Sequence, residues 1–410
     1  MIVDQATLSV APIADHLIAA ADAAARDVTP SEGNPESDPE FGAIGWSNEL
    51  ARHVVEFKTA EPARSLTSLT EEFQSNIRRA NELLEPLHAR LMPGAMHPWM
   101  DPLKEMQLWP HGFKDVYQAF DRIFSCKGHG WANLQSMHIN LPFCGDEEFG
   151  RLHAAIRLVL PILPALAASS PVMEARATGL LDNRLEVYRF NSKRIPSVAG
   201  KVIPEPVYTQ QAYTSTILER IWADLAPLDP EGILRDEWAN ARGCIARFSR
   251  GSIEIRVIDV QECPAADLAI CQAVVALVQM LTRSPLSDQQ GLREWSVEAL
   301  HEIFLSCVRS ADDAVISNLE YIRQLGVATQ RPLSARELWF AISEQLPAES
   351  VTLELQTILR HGCLARRILR ASGVKPSQSM DLRSDETMKR LHDVYGELTN
   401  CLAEGRMFIA

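Results

Sequence analysis

Four segments of the 410-residue sequence alternate polar and apolar side chains with the two-residue period of a β-strand. Two of them are "SMHINLPF" at 136–143 and "SIEIRVID" at 252–259, and the other two read "HVVEFKTA" and "NRLEVYRF". Because side chains alternate across a strand, the polar members of each segment share one face. The pairs on these polar faces are Glu56 with Lys58, His138 with Asn140, Arg184 with Glu186, and Glu254 with Arg256.

The polar faces combine carboxylates, guanidiniums and an imidazole, a mixture that can bind a divalent cation together with a phosphorylated ligand. Mg²⁺ prefers carboxylate oxygens, and the planar fork of arginine matches phosphate or carboxylate. This interpretation requires that the four faces line one concavity. The alternative is that each pair is solvated on an outer sheet face, with His138 held by structural hydrogen bonds and Glu254 forming an ion pair with Arg256.

A loop with several basic residues, at 192–206, follows the segment "NRLEVYRF". Lys193, Arg194 and Lys201 either close over nucleotide phosphates as a lid or lie in an ordinary solvated loop. The glycine-rich nucleotide signatures are absent, because "GHGWAN" at 128–133 lacks the third glycine and "GK" at 200–201 lacks the Walker context. We therefore expect an α+β fold, with an antiparallel sheet covered by helices, and not a doubly wound fold.

Composition and charge exclude several classes of protein. With 46% hydrophobic and 23% charged residues the chain is ordinary for a globular protein, and its net charge of −13 disfavours nucleic acid or an anionic membrane as partner. The eight cysteines form no Cys-x-x-Cys pair, which is typical of buried thiols in a reducing compartment. No signal-peptide pattern follows Met1, and the longest apolar run, at 273–281, has about half the length of a membrane span. We expect a cytoplasmic protein with no membrane partner.

The remaining elements follow from apolar periodicity and from proline and glycine positions. We predict helices over 11–25, 65–91 and 112–124, a buried helix that begins at Cys263-Pro264, and only helices from residue 286 onward. These helices must cover the sheet that carries the polar strand faces.

Four stretches together resemble the successive motifs of the type 2 glutamate–cysteine ligase family, a group of carboxylate–amine ligases related in fold to glutamine synthetase. They are "NELARHVVEFKT", "MHINLPF", "PALAASSPVMEARATGLLDNR" and "SIEIRVID", in the order that the family has. The resemblance covers about residues 1–283. It implies a catalytic core over 1–283, built on an antiparallel sheet curved into a half-barrel or funnel, and a helical region over 284–410 packed on that core.

The resemblance also implies a reaction, the ATP- and Mg²⁺-dependent formation of an amide. ATP phosphorylates the side-chain carboxylate of glutamate, and an amine, by default cysteine, attacks the acyl phosphate. Such chemistry depends on positioning and charge neutralisation. The implied partners are small molecules, namely glutamate or an analogue, an amine acceptor and ATP, and a homo-oligomer is compatible with the sequence.

Residue roles carry over from the family motifs as expectations. The expected metal ligands are Glu56, His138 and Glu254, and the expected catalytic arginines are Arg184 and Arg256. The expected substrate- or nucleotide-binding residues are Glu49, Asn140, Lys193, Arg194 and Lys201. Each has a plain structural alternative, and Glu49 could simply lie in a turn.

One departure from the family concerns its opening strand, "G-x-E-x-E", whose two glutamates bind metal. In the family this strand precedes the segment that "MIVDQATL" resembles, so its carboxylates are not in this sequence. Two explanations are open: the natural protein is longer, or the chain is a degenerate relative that binds a ligand or partner without ligating. The motifs "HIN", "LLDNR" and "VQECP" also differ from those of the best-known family members, so the identity of the amine acceptor stays open. A metal-dependent hydrolase is the third reading, although "HEIFL" at 301–305 lacks a second histidine.

Overall fold

The computed structural model describes residues 1–283, 286–375 and 378–410, and helices account for about half of the chain. The strands are β1 (Ile2–Asp4), β2 (Glu40–Phe41), β3 (Ile44–Asn48), β4 (Val55–Thr59), β5 (Ala89–Leu91), β6 (Ser136–Pro142), β7 (Val172–Met173), β8 (Arg176–Thr178), β9 (Cys244–Arg247), β10 (Ser252–Asp259), β11 (Val315–Ile316), β12 (Leu333–Ser334) and β13 (Ser379–Asp381). The helices are α1 (Ala14–Arg26), α2 (Leu69–Leu84), α3 (Pro102–Glu105), α4 (Lys114–Phe124), α5 (His129–Ala132), α6 (Gly145–Val159), α7 (Leu163–Ala167), α8 (Asn183–Tyr188), α9 (Gln210–Tyr213), α10 (Glu219–Leu225), α11 (Pro264–Thr282), α12 (Leu286–Arg293), α13 (Val297–Ser310), α14 (Leu319–Gln324), α15 (Ala335–Ser343), α16 (Leu353–His361), α17 (Leu364–Ala371) and α18 (Asp385–Glu404).

Small antiparallel sheets join these strands, and the described residues form no closed barrel. One three-stranded sheet has the order β6-β10-β9 and another has the order β2-β3-β4. In the first, Glu254 lies opposite Asn140 of β6 and opposite Ile245 of β9. In the second, Glu56 of β4 lies opposite Ser47 of β3. The mixed α/β fold with antiparallel sheets agrees with the sequence-based prediction.

Strand β10 is the centre of its sheet and is covered on both sides. Ile253, Ile255 and Val257 are buried in the main hydrophobic core, which the alternation of the sequence predicts. Their neighbours Glu254 and Arg256 face the other way, and Glu254 is also buried. A charged side chain is rarely buried unless other polar groups pair with it, so this face of β10 must meet polar partners.

Among the residues that the structure describes, two segments are long and apolar enough to cross a bilayer, namely Gly145–Ala167 and Pro264–Thr282. Of their most apolar stretches, 89% and 61% of the residues are buried inside the protein. Helices α6 and α11 within these segments pack against each other in the main core. Burial explains why they are apolar on nearly every side, so they do not indicate a membrane protein.

The C-terminal region shares the main core with the rest of the chain. A single hydrophobic cluster contains Ile139 of β6, Leu277 of α11 and Leu359 of α16. Residue 284, where we expected this region to begin, lies outside the described residues. The prediction of helices alone after residue 286 is wrong at three short strands, β11, β12 and β13, of which β13 pairs with β8.

Two predicted elements differ from the structure for local reasons. The segment "NRLEVYRF" forms helix α8 and not a strand, because Asp182 caps the helix and its side chain accepts a hydrogen bond from the Leu185 amide at 2.8 Å. The helix predicted over 65–91 is interrupted at Pro86, which lies in a short 3₁₀ turn after α2. The residues after this turn form β5, which pairs with β1.

His153 of α6 is fully buried in the main core and is stabilised as a neutral ring. Its Nδ1 lies 2.8 Å from the Val207 carbonyl oxygen, and its Nε2 has no hydrogen-bond partner among the described residues. Burial lowers the pKa of His153 to about 3, and the charge of Arg157 adds to this effect. Since the unfolded-state value is about 6.5, unfolding takes up a proton anywhere between these limits.

Replacing His153 by glutamine should therefore reduce the acid sensitivity of the fold. In the wild type the neutral ring makes its full contribution to the free energy of unfolding above a pH of about 6.5. Below this pH the contribution falls by up to about 1.4 kcal/mol per pH unit. The difference between the free energies of unfolding of wild type and variant should become smaller as the pH falls, because only the wild type loses the contribution of the neutral ring. Urea unfolding at several pH values measures this difference. His16→Gln, on the exposed side of α1, is the matched control and should keep the wild-type slope. A gap for His153→Gln that stays constant with pH would contradict this account.

Candidate active site

Glu254 of β10 is the centre of a cluster of charged side chains. Its Oε1 lies 3.3 Å from His138 Nδ1 and 3.2 Å from Arg256 Nε, and its Oε2 lies 3.2 Å from Arg247 Nη1. Burial alone would raise the pKa of Glu254, but the hydrogen bond from His138 and the charges of Arg256 and Arg247 lower it far below its usual range. Glu254 is therefore ionised and holds three basic side chains.

His138 is held at both ring nitrogens. Its Nδ1 faces Glu254, and its Nε2 lies 2.8 Å from the Ser136 hydroxyl. Although 30% of the His138 side chain is exposed, the surrounding protein and the nearby charge of Arg256 lower its pKa, and Glu254 opposes the shift. The ring is thus favoured in the neutral form, in which Nδ1–H donates to Glu254 and Nε2 accepts from Ser136.

Glu49 and Glu56 form a pair of carboxylates next to this cluster. Glu49 follows β3, Glu56 belongs to β4, and the Ser47 hydroxyl donates to Glu56 Oε2 at 2.8 Å. Although the Glu49 side chain is accessible to solvent, the surrounding protein raises its pKa to about 7, and the negative charge of Glu56 adds to the shift. Lys58 lies 4.0 Å from Glu56 Oε2 and partly offsets this negative charge.

Charges from the two sheets act together on Arg256. Burial alone would lower the pKa of Arg256, but Tyr188 and the carboxylates Glu254, Glu49 and Glu56 raise it. These carboxylates belong to both sheets, so their charges meet at one guanidinium. Charged side chains of β4, β6 and β10 therefore lie close enough to interact.

Arg184 lies behind the cluster, in helix α8, and not on a polar strand face. It is buried, with Nη1 3.0 Å from Asp259 Oδ1 and Nη2 donating to the main-chain carbonyl of Arg256 at 2.7 Å. Asp259 also accepts hydrogen bonds from the Ser169 amide and the Ser170 hydroxyl. The "SSP" and "DNR" motifs are thus linked to β10 at Arg256 and Asp259.

Two residues of the basic loop have partners outside the cluster. Arg194 Nη1 donates to the Ile123 carbonyl oxygen at 2.6 Å, at the C-terminal end of α4, and Lys201 Nζ lies 2.9 Å from Glu298 Oε1. Lys193 is exposed. Asn140, by contrast, lies directly across from Glu254 with an exposed side chain.

Three residues near the cluster were not predicted from the sequence. Arg247 pairs with Glu254 from β9, a strand that the sequence analysis did not identify. The alternation in "CIARFSRGSIEIRV", with a turn at Gly251, is the signal for this hairpin. Tyr117 of α4 accepts a hydrogen bond from Asn48 Nδ2 at 3.0 Å, and burial and the charges of the carboxylate pair raise its pKa. Tyr188 has a buried hydroxyl without a hydrogen-bond partner among the described residues.

The carboxylate pair fits Mg²⁺ better than Glu254 does. Both oxygens of Glu254 already face cations, and both nitrogens of His138 have partners. Among the described residues no group of three or more His, Cys, Asp or Glu side chains could hold a metal ion by itself. Mg²⁺ commonly uses one or two carboxylates together with phosphates of the substrate and water, which matches Glu49 and Glu56.

The candidate site thus combines two carboxylates, Glu49 and Glu56, with two arginines that pair with Glu254. Comparison with known proteins gives the family. The model of glutamate-cysteine ligase family 2 (GCS2) matches residues 5–391. The chain therefore belongs to glutamate-cysteine ligase family 2, and the resemblance found in its motifs is confirmed.

Two relatives illustrate the match. An uncharacterized protein of Archaeoglobus fulgidus is 35% identical over 289 residues, which cover 70% of this chain and 74% of that protein. A Nocardioides protein named "Putative glutamate--cysteine ligase 2-1" is 30% identical over 257 residues, which cover 62% of this chain and 60% of that protein.

Proposed function

We propose that this protein is an ATP- and Mg²⁺-dependent carboxylate–amine ligase that activates the side-chain carboxylate of glutamate, with cysteine as the leading amine acceptor. The observation that carries the proposal is the meeting of Glu49, Glu56 and Glu254 at Arg256 in a chain of this family. Carboxylates and guanidiniums that share one concavity suit a reaction between two anionic substrates, because the charges of both must be neutralised.

In the proposed reaction, the γ-phosphoryl group of ATP passes to a carboxylate oxygen of glutamate, which releases ADP and forms an acyl phosphate. The amine then attacks the acyl carbon and displaces phosphate. Arg256 binds and orients an anionic group, and Glu49 and Glu56 would hold Mg²⁺, which would supply positive charge to neutralise phosphate. Arg184 keeps the backbone of Arg256 in place.

We also propose an architecture and a cellular setting for this ligase. The β2-β3-β4 and β6-β10-β9 sheets are parts of a curved half-barrel, residues 1–283 carry the catalytic elements, and residues 284–410 pack on them. The substrates are small molecules, the protein works in the cytoplasm, and a homo-oligomer is compatible with it. Lys193 and Asn140, whose side chains are exposed, are candidates for nucleotide or substrate contacts, and Arg194 and Lys201 would become candidates only on leaving the partners they have here.

The experiment that tests the function is ADP release with Mg²⁺, ATP, glutamate and a panel of amino acids and amines. ADP release that depends on both glutamate and one amine would establish the ligase and name the acceptor. A chain extended upstream of Met1 is assayed in parallel, because the family's opening glutamates are not in this sequence. Silence from both forms would favour the alternative, a relative that binds a ligand or partner without catalysis.

Loss of either member of the carboxylate pair should weaken metal binding. We expect Glu49→Gln and Glu56→Gln each to lower the affinity for Mn²⁺, a spectroscopic substitute for Mg²⁺, by about tenfold, because one of two charged ligands is removed. Electron paramagnetic resonance of bound Mn²⁺ measures this without any turnover. Glu61→Gln, in the exposed loop after β4, is the control and should bind Mn²⁺ as the wild type does. Unchanged affinity in both pair variants would place the metal elsewhere.

A further inference from the structure

We propose that Asn240 is a positioning residue that orients the guanidinium of Arg256 for the reaction. Asn240 meets Arg256 through its main-chain carbonyl oxygen, which accepts a hydrogen bond from Nη1 at 3.1 Å. This inference rests on the proposed function, in which Arg256 binds an anionic group, and it adds the residue that gives the guanidinium its direction.

Strand β10 is irregular where it carries Arg256. Its register against β6 shifts between Ile255 and Ile258, so the two residues between them lie opposite His138 alone. Arg256 is one of these two residues. A β-bulge of this kind bends the strand, leaves part of the ladder unpaired and changes the direction of a side chain. The direction of the Arg256 side chain is therefore set by contacts other than regular pairing with β6.

The segment at 240–243, just before β9, supplies such contacts. The Arg256 amide donates to the Gly243 carbonyl oxygen at 2.9 Å, and Arg256 Nη1 donates to the Asn240 carbonyl oxygen. The carbonyl oxygen of Arg256 in turn accepts from Arg184 Nη2 at 2.7 Å. One short segment thus holds both the main chain and the side chain of Arg256 at the bulge.

The side chain of Asn240 is fully buried and is hydrogen-bonded at both ends. Its Nδ2 donates to the Tyr213 hydroxyl at 2.8 Å, and its Oδ1 accepts from the amide and from Nη1 of Arg242 at 3.2 and 3.1 Å. The Tyr213 hydroxyl also accepts from the Ala246 amide of β9 at 3.1 Å. A buried network whose members are all bonded is rigid. The Asn240 carbonyl oxygen therefore meets Arg256 in a fixed direction.

Arg242 joins this network to the loop at 192–206. The buried guanidinium of Arg242 forms two hydrogen bonds with the carboxylate of Glu205, from Nε at 2.6 Å and from Nη2 at 2.7 Å, and its Nη1 donates to the Ser197 carbonyl oxygen at 3.0 Å. A bidentate pair of this kind has a defined geometry. Through Arg242, the loop thus helps to hold the side chain of Asn240.

A double-mutant cycle tests whether Asn240 acts through Arg256. Asn240→Ala removes the bonds to Tyr213 and Arg242, so we expect ADP release with Mg²⁺, ATP, glutamate and the active amine to fall by about tenfold, because a poorly oriented guanidinium stabilises charge less well. In the Arg256→Lys background the same substitution should change the rate by less than about twofold, since the group that Asn240 orients is absent. Equal factors in both backgrounds would mean that Asn240 has only a structural role and would overturn the proposal.

Asn76→Ala is the matched control for the loss of a buried, hydrogen-bonded asparagine. Asn76 belongs to helix α2, where its side chain accepts from Trp46 Nε1 and donates to the Phe41 and Glu72 carbonyl oxygens. This variant should melt at a lower temperature than the wild type and should keep the wild-type rate of ADP release per folded molecule.

Tyr213→Phe is a milder test, which serves if Asn240→Ala does not fold. It keeps the buried ring and removes the hydroxyl that accepts from Asn240 Nδ2. We expect the rate of ADP release to fall by about threefold in the wild type and to stay unchanged in the Arg256→Lys background. A threefold decrease in both backgrounds would contradict positioning through Arg256.

The orientation of Arg256 can also be measured without turnover, by nuclear magnetic resonance of protein with isotopically labelled arginine. The guanidinium resonances of Arg256 are identified by their absence from the spectrum of Arg256→Lys. A guanidinium held by the Asn240 carbonyl oxygen rotates slowly about its Nε–Cζ bond and gives separate Nη resonances. In Asn240→Ala we expect these resonances to merge into one average signal, because the bond that restrains the rotation is weakened.

The two measurements separate this proposal from the ligase. If the wild type releases ADP and Asn240→Ala slows Arg256→Lys as much as it slows the wild type, the positioning role is wrong and the ligase stands. If no amine supports ADP release, the ligase is wrong and the resonances decide the positioning role. Separate Nη resonances in the wild type that merge in Asn240→Ala would support it, and the same pattern in both proteins would overturn it.

Discussion

Replacing Arg256 by lysine should lower the rate of ADP release by about a hundredfold or more, even though the positive charge is kept. Arg256 makes two contacts at once, to Glu254 through Nε and to the Asn240 carbonyl oxygen through Nη1. A lysine ammonium has no planar fork, so it cannot keep both contacts and also bind an anion with two parallel hydrogen bonds. The lower rate should therefore come from a poorly oriented anion and not from a change in the net charge of the site.

The measurement is ADP release at saturating ATP, glutamate and the amine that supports turnover, with Arg250→Lys as a control for the same substitution on the same hairpin. Arg250 is exposed, so its variant should keep the wild-type rate. Thermal melting verifies that Arg256→Lys is folded, because the carbonyl of Asn240 loses its donor. A near-normal rate in folded Arg256→Lys would mean that Arg256 is only part of a cross-strand ion pair.

The sequence predicted the parts of the site that a single strand specifies. Alternation along β4, β6 and β10 was enough to place Glu56, His138, Glu254 and Arg256 on polar faces, because the period of two is a property of each strand alone. The long apolar helix after Cys263 was also predicted, since it begins at a proline in the first turn and is buried on nearly every side.

Helix α8 shows where local pattern is insufficient. Six residues with an alternating pattern fit a strand or a helical turn about equally well. The side chain of Asp182 decides between them, because it caps the helix at the Leu185 amide. The same change moves Arg184 from a presumed ligand-facing position to the buried support of β10, where it contacts Asp259.

Partners that come from distant parts of the chain were outside the reach of sequence reasoning. Arg247 belongs to the site only because β9 pairs with β10, and Tyr117 only because α4 packs beside the carboxylate pair. Arg194 is a residue that tertiary packing binds elsewhere, although its long side chain made it a candidate for contact with a ligand. It is bound instead by carbonyl oxygens at the end of α4, a contact that tertiary packing alone determines.

Support for the site continues beyond the C-terminal end of β10. Asp259 ends the strand and pairs with Arg184, and three residues later Glu262 pairs with Arg367 of α17. Arg367 Nη1 also donates to the Phe408 carbonyl oxygen, while the Phe408 amide donates to Glu262. A buried ion pair thus joins the segment after β10 to α17, and hydrogen bonds of the Phe408 backbone link the last residues of the chain to that pair.

Replacing Arg367 by methionine should destabilise the protein by about 3–5 kcal/mol, because it leaves a carboxylate buried without its charged partner. Both Arg367 and Glu262 are fully buried, so water cannot replace the lost contact. The Phe408 and Gly362 carbonyl oxygens lose their donor as well. Urea-induced unfolding followed by tryptophan fluorescence measures the change.

Double replacement distinguishes a buried unpaired charge from lost packing. Glu262→Gln combined with Arg367→Met removes both charges, and it should recover part of the stability lost in Arg367→Met, because no ionised group is left without a partner. Arg78→Met is the control for the same substitution in an exposed pair with Glu71, and it should change stability by less than about 1 kcal/mol. If the double variant were less stable than Arg367→Met, the contribution of Arg367 would be its packing and its carbonyl contacts, and the ion pair would not be what joins α17 to β10.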